Sequence, residues 1–415
     1  MNRVHVLHGA LALLLALPGA VSADEPAVWA VRAGKILTMA GGELDDGVML
    51  VEGKKIKLVG RWGEVAIPDG VPVVHFEDAW LTPGLIELHC HVGAGEGFGD
   101  LNDSVHQTNP ELRNLDTILP SNEMMRRGLE GGVTTALFIP GSGSNMSGFG
   151  TLVKFAGKTP DECVVRFPGA LKIAQAGNPE RPADMGRGRM GMNSMIRATL
   201  LEGKAYHEAM VAFEQGKRGM EPPREPRLEL LRGLFTRQYP LLVHTAFMQV
   251  QHSTVRILHD ELGLDPIISH GCFDAFLNSP FVAERPSLHV NLGPRQVQYD
   301  RRARAMYGLA ERWWAGGVRN FSVCTDSPVL LQEELFYQGT LAAHFGAPSR
   351  PFLEGTTIGA AKALYIADRL GSLEPGKDAD CVVWGGDPFD PRSRVLRVWI
   401  DGKAAYDQKR DRGRF

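Results

Sequence analysis

Two histidines one residue apart, His89 and His91, close the short apolar run Leu85-Ile86-Glu87-Leu88. Residues two apart on a strand share a face, so both imidazoles point the same way. At the tip of a barrel strand such a pair can bind one metal ion. The pair alone is weak evidence, but its setting recurs. His244 ends Leu241-Leu242-Val243, His270 ends Pro266-Ile267-Ile268-Ser269, and Asp326 ends Phe321-Ser322-Val323-Cys324-Thr325. Lys172 ends a fifth apolar run, which begins at Cys163. Any one of these reads as a cap or a surface residue. Gathered at one rim they have no easy structural explanation, and they offer imidazole and carboxylate ligands suited to zinc.

Other residues carry weaker signals. Glu87 has the strand parity of His89, so it reads either as a partner of a ligand or as a structural carboxylate. Cys324 has the parity of Asp326 and could lie beneath the metals, although packing is the favoured role. His106 could touch substrate, and Arg187, Arg189 and Arg295 could hold a substrate carboxylate. Each of these, taken singly, is more simply a solvated surface residue. His75, His207, His252, His259, His289 and His344 lack the strand-tip setting and read as structural. No residue is assigned to substrate binding.

The elements that must position this rim alternate. Apolar strand signals fall at 85–89, 133–139, 151–155, 163–172, 241–244, 266–270, 288–292 and 321–326. Helix-like stretches lie between most of them, at 122–130, 195–215, 249–262, 303–315 and 332–345. Alternating β and α with apolar strands argues for a parallel sheet covered by helices, and eight strands suit a (β/α)8 TIM-like barrel. Short strands punctuated by glycine mark 27–82, and the same texture returns near the end, with Asp401-Gly402 as a hairpin turn. The expected architecture is therefore α/β: a barrel over 83–368, and a small β-sandwich domain composed of 24–82 and 369–415. The segment 174–191, with Asn178-Pro179 and three arginines, breaks the rhythm as a long excursion on the active-site face.

Composition bounds the rest. The chain has 415 residues, 44% apolar and 22% charged, which excludes collagen, coiled coil and wholesale disorder. Lys+Arg of 45 against Asp+Glu of 48 gives a net charge of −3, with no basic cluster that would mark a nucleic-acid partner. Residues 1–23 have the layout of a signal peptide: Arg3, the apolar run 10–17, Pro18-Gly19, then Val21-Ser22-Ala23. The run is too short for a membrane span of ~20 residues. The expectation is an exported protein, periplasmic or secreted, free of the membrane once cleaved. Five cysteines at irregular spacing read as small buried hydrophobes.

The chain resembles the amidohydrolase superfamily. The likeness is carried by Leu81-Thr82-Pro83-Gly84-Leu85-Ile86-Glu87-Leu88-His89-Cys90-His91, by Gly132-Val133-Thr134-Thr135, and by 370–380 with Val382-Val383-Trp384 and Asp401-Gly402-Lys403. Glu87 stands where the family more often has Asp. Pro140-Gly141-Ser142 and Leu171-Lys172 with Asn178-Pro179 resemble the imidazolonepropionase-related branch. The resemblance implies that His89, His91 and Asp326 bind a more buried metal, and that His244 and His270 bind a second. It implies that Lys172, carboxylated by CO₂, bridges two Zn²⁺ ions, with Lys154 as the competing bridge and a one-metal site if neither serves. Asp326 would shuttle the proton from a metal-activated hydroxide to the leaving nitrogen. The implied activity is hydrolysis of a C–N bond in a small amide, N-acyl amino acid, dipeptide or cyclic amide. The alternatives are a mononuclear deaminase or cyclic-amidine hydrolase, and a non-catalytic binding scaffold. The expected partner is a small-molecule substrate; a homo-oligomer is left open.

Overall fold

The computed structural model describes residues 27–411 apart from 94–100, 104, 176, 182–183 and 302. The expected signal peptide lies outside the described residues. Four strands open the chain: β1 (Val28–Leu37), β2 (Glu43–Glu52), β3 (Lys55–Arg61) and β4 (Val73–Pro83). Eight follow in the barrel sheet or beside it: β5 (Leu85–Cys90), β6 (Val133–Phe138), β7 (Met146–Lys154), β8 (Val164–Ala174), β9 (Leu241–Thr245), β10 (Pro266–His270), β11 (His289–Leu292) and β12 (Val297–Asp300). Five complete the set: β13 (Ala305–Gly308), β14 (Phe321–Val323), β15 (Cys381–Trp384), β16 (Val395–Ile400) and β17 (Lys403–Asp407).

Both chain ends build one seven-stranded sheet in the order β17-β16-β15-β4-β1-β2-β3. Alternation along β1 sends Trp29, Val31 and Ala33 into one apolar cluster and Ala30 into another on the opposite face. Trp29 stacks on Trp399 at 4.8 Å, and its indole N–H donates to the Gly402 carbonyl at 3.1 Å, so residues far apart in sequence share one core. The turn between β16 and β17 is Asp401-Gly402, with φ of 51° and 71°. Both values are left-handed, as a type I′ hairpin requires. The fold class is therefore the expected barrel with a small β-sandwich built from both ends.

The barrel sheet runs β14-β11-β10-β9-β8-β7-β6-β5. It closes through a bridge between Cys90 and Ser327, where His91 N–H donates to the Ser327 carbonyl at 2.8 Å. It differs from the expected all-parallel sheet in one strand: β7 is antiparallel to both β6 and β8. The reason is the connection. Only 139–145 joins β6 to β7, far short of the dozen or so residues a parallel crossover needs. The helix expected over 303–315 shrinks to Leu309–Ala315, because β12 and β13 form a hairpin in front of it. All five cysteines are buried, as their apolar settings suggest.

Lys154 fastens the barrel to the terminal sheet. Its buried ammonium lies 2.9 Å from Asp378 and 3.0 Å from Asp380, and it also pairs with Asp401. Asp378 additionally meets Lys55 at 2.6 Å and Arg369 at 2.8 Å. Burial pushes the Asp380 carboxyl up to about 6, against the pull of Lys154. An acid raised on folding binds its proton more tightly in the folded state, so its contribution is present at low pH and is lost as pH rises from about 4 through about 6. Asp380→Asn should therefore be less destabilising, relative to wild type, at pH 7 than at pH 4. Denaturant unfolding of both proteins at the two pH values checks this; an equal difference at both would show that Asp380 keeps an ordinary pKa.

Candidate metal centre

The strand tips bring the six expected residues together. His89 is fully buried on β5, Lys172 fully buried on β8, and His91, His244 and His270 nearly so. His89 Nε2 lies 3.1 Å from Lys172 Nζ and 3.1 Å from Asp326 Oδ1. His91 Nε2 lies 3.3 Å from the same carboxylate oxygen. His270 Nε2 approaches His244 Nδ1 to 2.7 Å and Asp326 Oδ2 to 4.0 Å. The His89 ring centroid is 4.5 Å from that of His270 and 6.5 Å from that of His244. Two triads result, His89-His91-Asp326 and His89-His244-His270, each with ligand atoms within 4.8 Å of one another.

Two of these residues hold a left-handed backbone at the strand tips: φ is 81° at His270 and 51° at Asp326. Such conformations cost non-glycine residues on the order of 1–3 kcal/mol and persist where the surroundings over-determine them. Burial drives His89 and His244 well below the ordinary imidazole range, and His270 below it too, with Lys172 pushing each the same way. At neutral pH these three rings are uncharged, the form that ligates metal.

The donor set fits a cation. His91 Nδ1 lies 3.0 Å from the Ile139 carbonyl, which can only accept. In the neutral ring the proton therefore sits on Nδ1, and Nε2 turns a lone pair toward Asp326 Oδ1. Two acceptors converge there, and a positive ion between them removes the conflict.

The rest of the expected set divides. Lys154 stands in the interdomain clamp, not at this centre. His106 and Arg295 are exposed. Arg187 donates to the Gly143 carbonyl at 3.0 Å, and Arg189 pairs with Glu180 at 2.7 Å. Sequence reasoning gave no role to Ser142, whose Oγ lies 3.1 Å from His244 Nδ1, or to Ser269, whose Oγ lies 2.5 Å from His89 Nδ1. Ser142 belongs to the Pro140-Gly141-Ser142 turn after β6, and that turn was the available signal.

A barrel with imidazoles and a carboxylate converging at the C-terminal ends of its strands is the architecture of hydrolytic α/β barrels with a metal centre. The sequence family described as Amidohydrolase family matches residues 283–405. A solved amidohydrolase from Thermotoga maritima is 29% identical, with a TM-score of 0.78, over 91% of this chain and 99% of that one. Amidohydrolase tasK of Hapsidospora irregularis is 25% identical over 87% of this chain, which spans only 40% of that relative's length. An imidazolonepropionase of Mesorhizobium japonicum is 22% identical over 89% of this chain and 94% of its own length. Together these likenesses support a place for the chain in the amidohydrolase superfamily.

Glu87 ties the two metal-side strands together. Its Oε1 accepts from His89 N–H at 3.0 Å; its Oε2 accepts from Thr325 N–H at 2.9 Å and from the Thr325 hydroxyl at 2.8 Å. Burial pushes the carboxyl up to about 7, although these donors pull it down. Glu87→Gln keeps the shape but sets an NH₂ group against one of the backbone N–H donors. Unfolding free energy should fall by ~1–3 kcal/mol, the cost of a buried unmatched donor. Unchanged stability in denaturant titration would show that the two strand tips do not depend on Glu87.

Proposed function

We propose that this chain is an exported, metal-dependent hydrolase of a C–N bond in a small amide, an N-acyl amino acid, a dipeptide or a cyclic amide. The observation that carries the reading is the pair of triads sharing His89. His89, His91 and Asp326 would hold one Zn²⁺, and His244 and His270 a second. Lys172, 3.1 Å from His89 Nε2, would bridge them as a carbamate, since an ammonium cannot ligate a cation. Bound there, the ions supply Lewis acidity that brings the pKa of water near 7 and polarises a carbonyl. Asp326 takes the proton of the attacking water and delivers it to the leaving nitrogen. The buried rings keep bulk water away and hold their lone pairs fixed toward the centre. Export rests on the residue pattern of 1–23. Among the described residues, no helix is long and apolar enough to cross a membrane.

A one-metal cyclic-amidine hydrolase is the second reading, favoured by the imidazolonepropionase relative that this chain spans almost end to end. Turnover of a panel of dipeptides, N-acyl amino acids and cyclic amides, with imidazolonepropionate included, separates the two. On whichever substrate is cleaved, Asp326→Asn should lower kcat by ~10²–10⁴-fold or more, with the fold kept and some metal retained. Lys172→Ala should lower metal per chain instead. Bicarbonate with a short carboxylic acid should partly restore it and leave Asp326→Asn unchanged. Full metal and full activity in Lys172→Ala would remove Lys172 as the bridge.

A further inference from the structure

The interior of an α/β barrel is ordinarily packed with branched apolar side chains. Here it contains a polar rung. Ser269 on β10 pairs in register with Asn291 on β11, and Asn291 with Ser322 on β14. All three are fully buried, and apolar Ile267, Ile268, Val290, Leu292, Phe321 and Val323 flank them along the same strands. Buried polar groups in such a setting are costly unless bonded. These are bonded in a line. The Ser322 hydroxyl donates to Asn291 Oδ1 at 2.7 Å, and Asn291 Nδ2 donates to Ser269 Oγ at 3.5 Å. His289 Nε2 lies 2.8 Å from Ser322 Oγ. The single Ser322 proton is already used on Asn291, so His289 Nε2–H is the donor in that contact. The other end of the line is the 2.5 Å contact between Ser269 Oγ and His89 Nδ1.

We propose that Ser269, Asn291, Ser322 and His289 are positioning residues, a hydrogen-bonded rung across three barrel strands that holds the His89 ring for metal. This rests on the reading of His89 as a metal ligand beside His91 and Asp326. To offer its Nε2 lone pair to a cation, His89 must carry its proton on Nδ1, and Ser269 Oγ must accept it. Asn291 fixes where that oxygen sits; Ser322 orients the Asn291 amide; His289 anchors Ser322. Burial pushes His289 down to about 4, so at neutral pH the anchoring ring is uncharged and can be held without a counter-ion. The line explains why polar residues occupy this level of the barrel and why they sit in register.

The test measures zinc affinity by competition with a chromophoric chelator, beside the thermal midpoint of the metal-free protein. It compares wild type with Ser269→Ala, Ser269→Thr, Asn291→Leu and His289→Phe. Loss of a partner that orients a ligand typically weakens metal binding ~10–100-fold. Ser269→Ala should show that loss. Ser269→Thr, which keeps the hydroxyl, should return affinity to near wild type. Asn291→Leu and His289→Phe should fall between, with the smaller loss at the far end of the line. Wild-type affinity in Ser269→Ala overturns the proposal. So do affinity losses that merely follow the metal-free midpoints, and a Ser269→Thr protein as weak as Ser269→Ala. If the wild type takes up no zinc, the metal reading itself fails. The rung is then judged on metal-free protein carrying ¹⁵N-labelled histidine: Ser269→Ala should move the His89 ring-nitrogen resonances, and unmoved resonances overturn the rung.

Discussion

The barrel mouth depends on one seam. β5 must meet the chain leaving β14, and the direct backbone contact is slight: a bridge between Cys90 and Ser327, with His91 N–H donating to the Ser327 carbonyl at 2.8 Å. Glu87 doubles it, one oxygen on His89 N–H and the other on Thr325. Through this seam the His89-His91 pair and Asp326, more than two hundred residues apart, come within hydrogen-bonding range. Without it the first triad does not exist, and His89 is not available to the second.

Closure also sets the electrostatics. Four imidazoles, a lysine and a carboxylate crowd a volume largely shut off from water. Burial favours the neutral form of His89, His244 and His270, and the lysine reinforces that preference. The Asp326 carboxylate then faces the ring nitrogens of His89 and His91, a donor set that suits a cation. The left-handed backbone at His270 and Asp326 turns both side chains into that volume at a conformational cost the seam and the strand ladder hold in place. Away from the mouth, Lys154 performs the opposite task. It is a buried cation with three carboxylates around it, and it locks the barrel to the sheet made by the chain termini.

Much of this was legible in the chain. The rim residues were readable because each ends an apolar run, a pattern that strand parity converts into direction. The Asp401-Gly402 turn was readable because its two residues tolerate left-handed φ. The direction of β7 was not, since strand periodicity is the same whichever way a strand runs; the short 139–145 connection was the only clue. The 303–315 stretch misled because its apolar spacing fits a helix, while the pairing of Tyr299 with Met306 that makes it partly a hairpin is a tertiary fact. His289 and Asn291 were invisible as a pair with Ser322, because register across parallel strands cannot be read from one sequence. Lys154 and Lys172 looked alike on adjoining strands, and only the fold sends one to the clamp and the other to the mouth.

The central claim is that two triads sharing His89, bridged by Lys172, make a site for two ions. Its most direct test is titration of the metal-stripped wild-type protein with Zn²⁺ in bicarbonate buffer, followed by elemental analysis of the metal retained per chain after removal of excess. The account predicts two ions per chain in the wild type and at most one in His89→Ala, which loses the ion held with His91 and Asp326. A single retained ion in wild type, or two ions that survive His89→Ala, would contradict it.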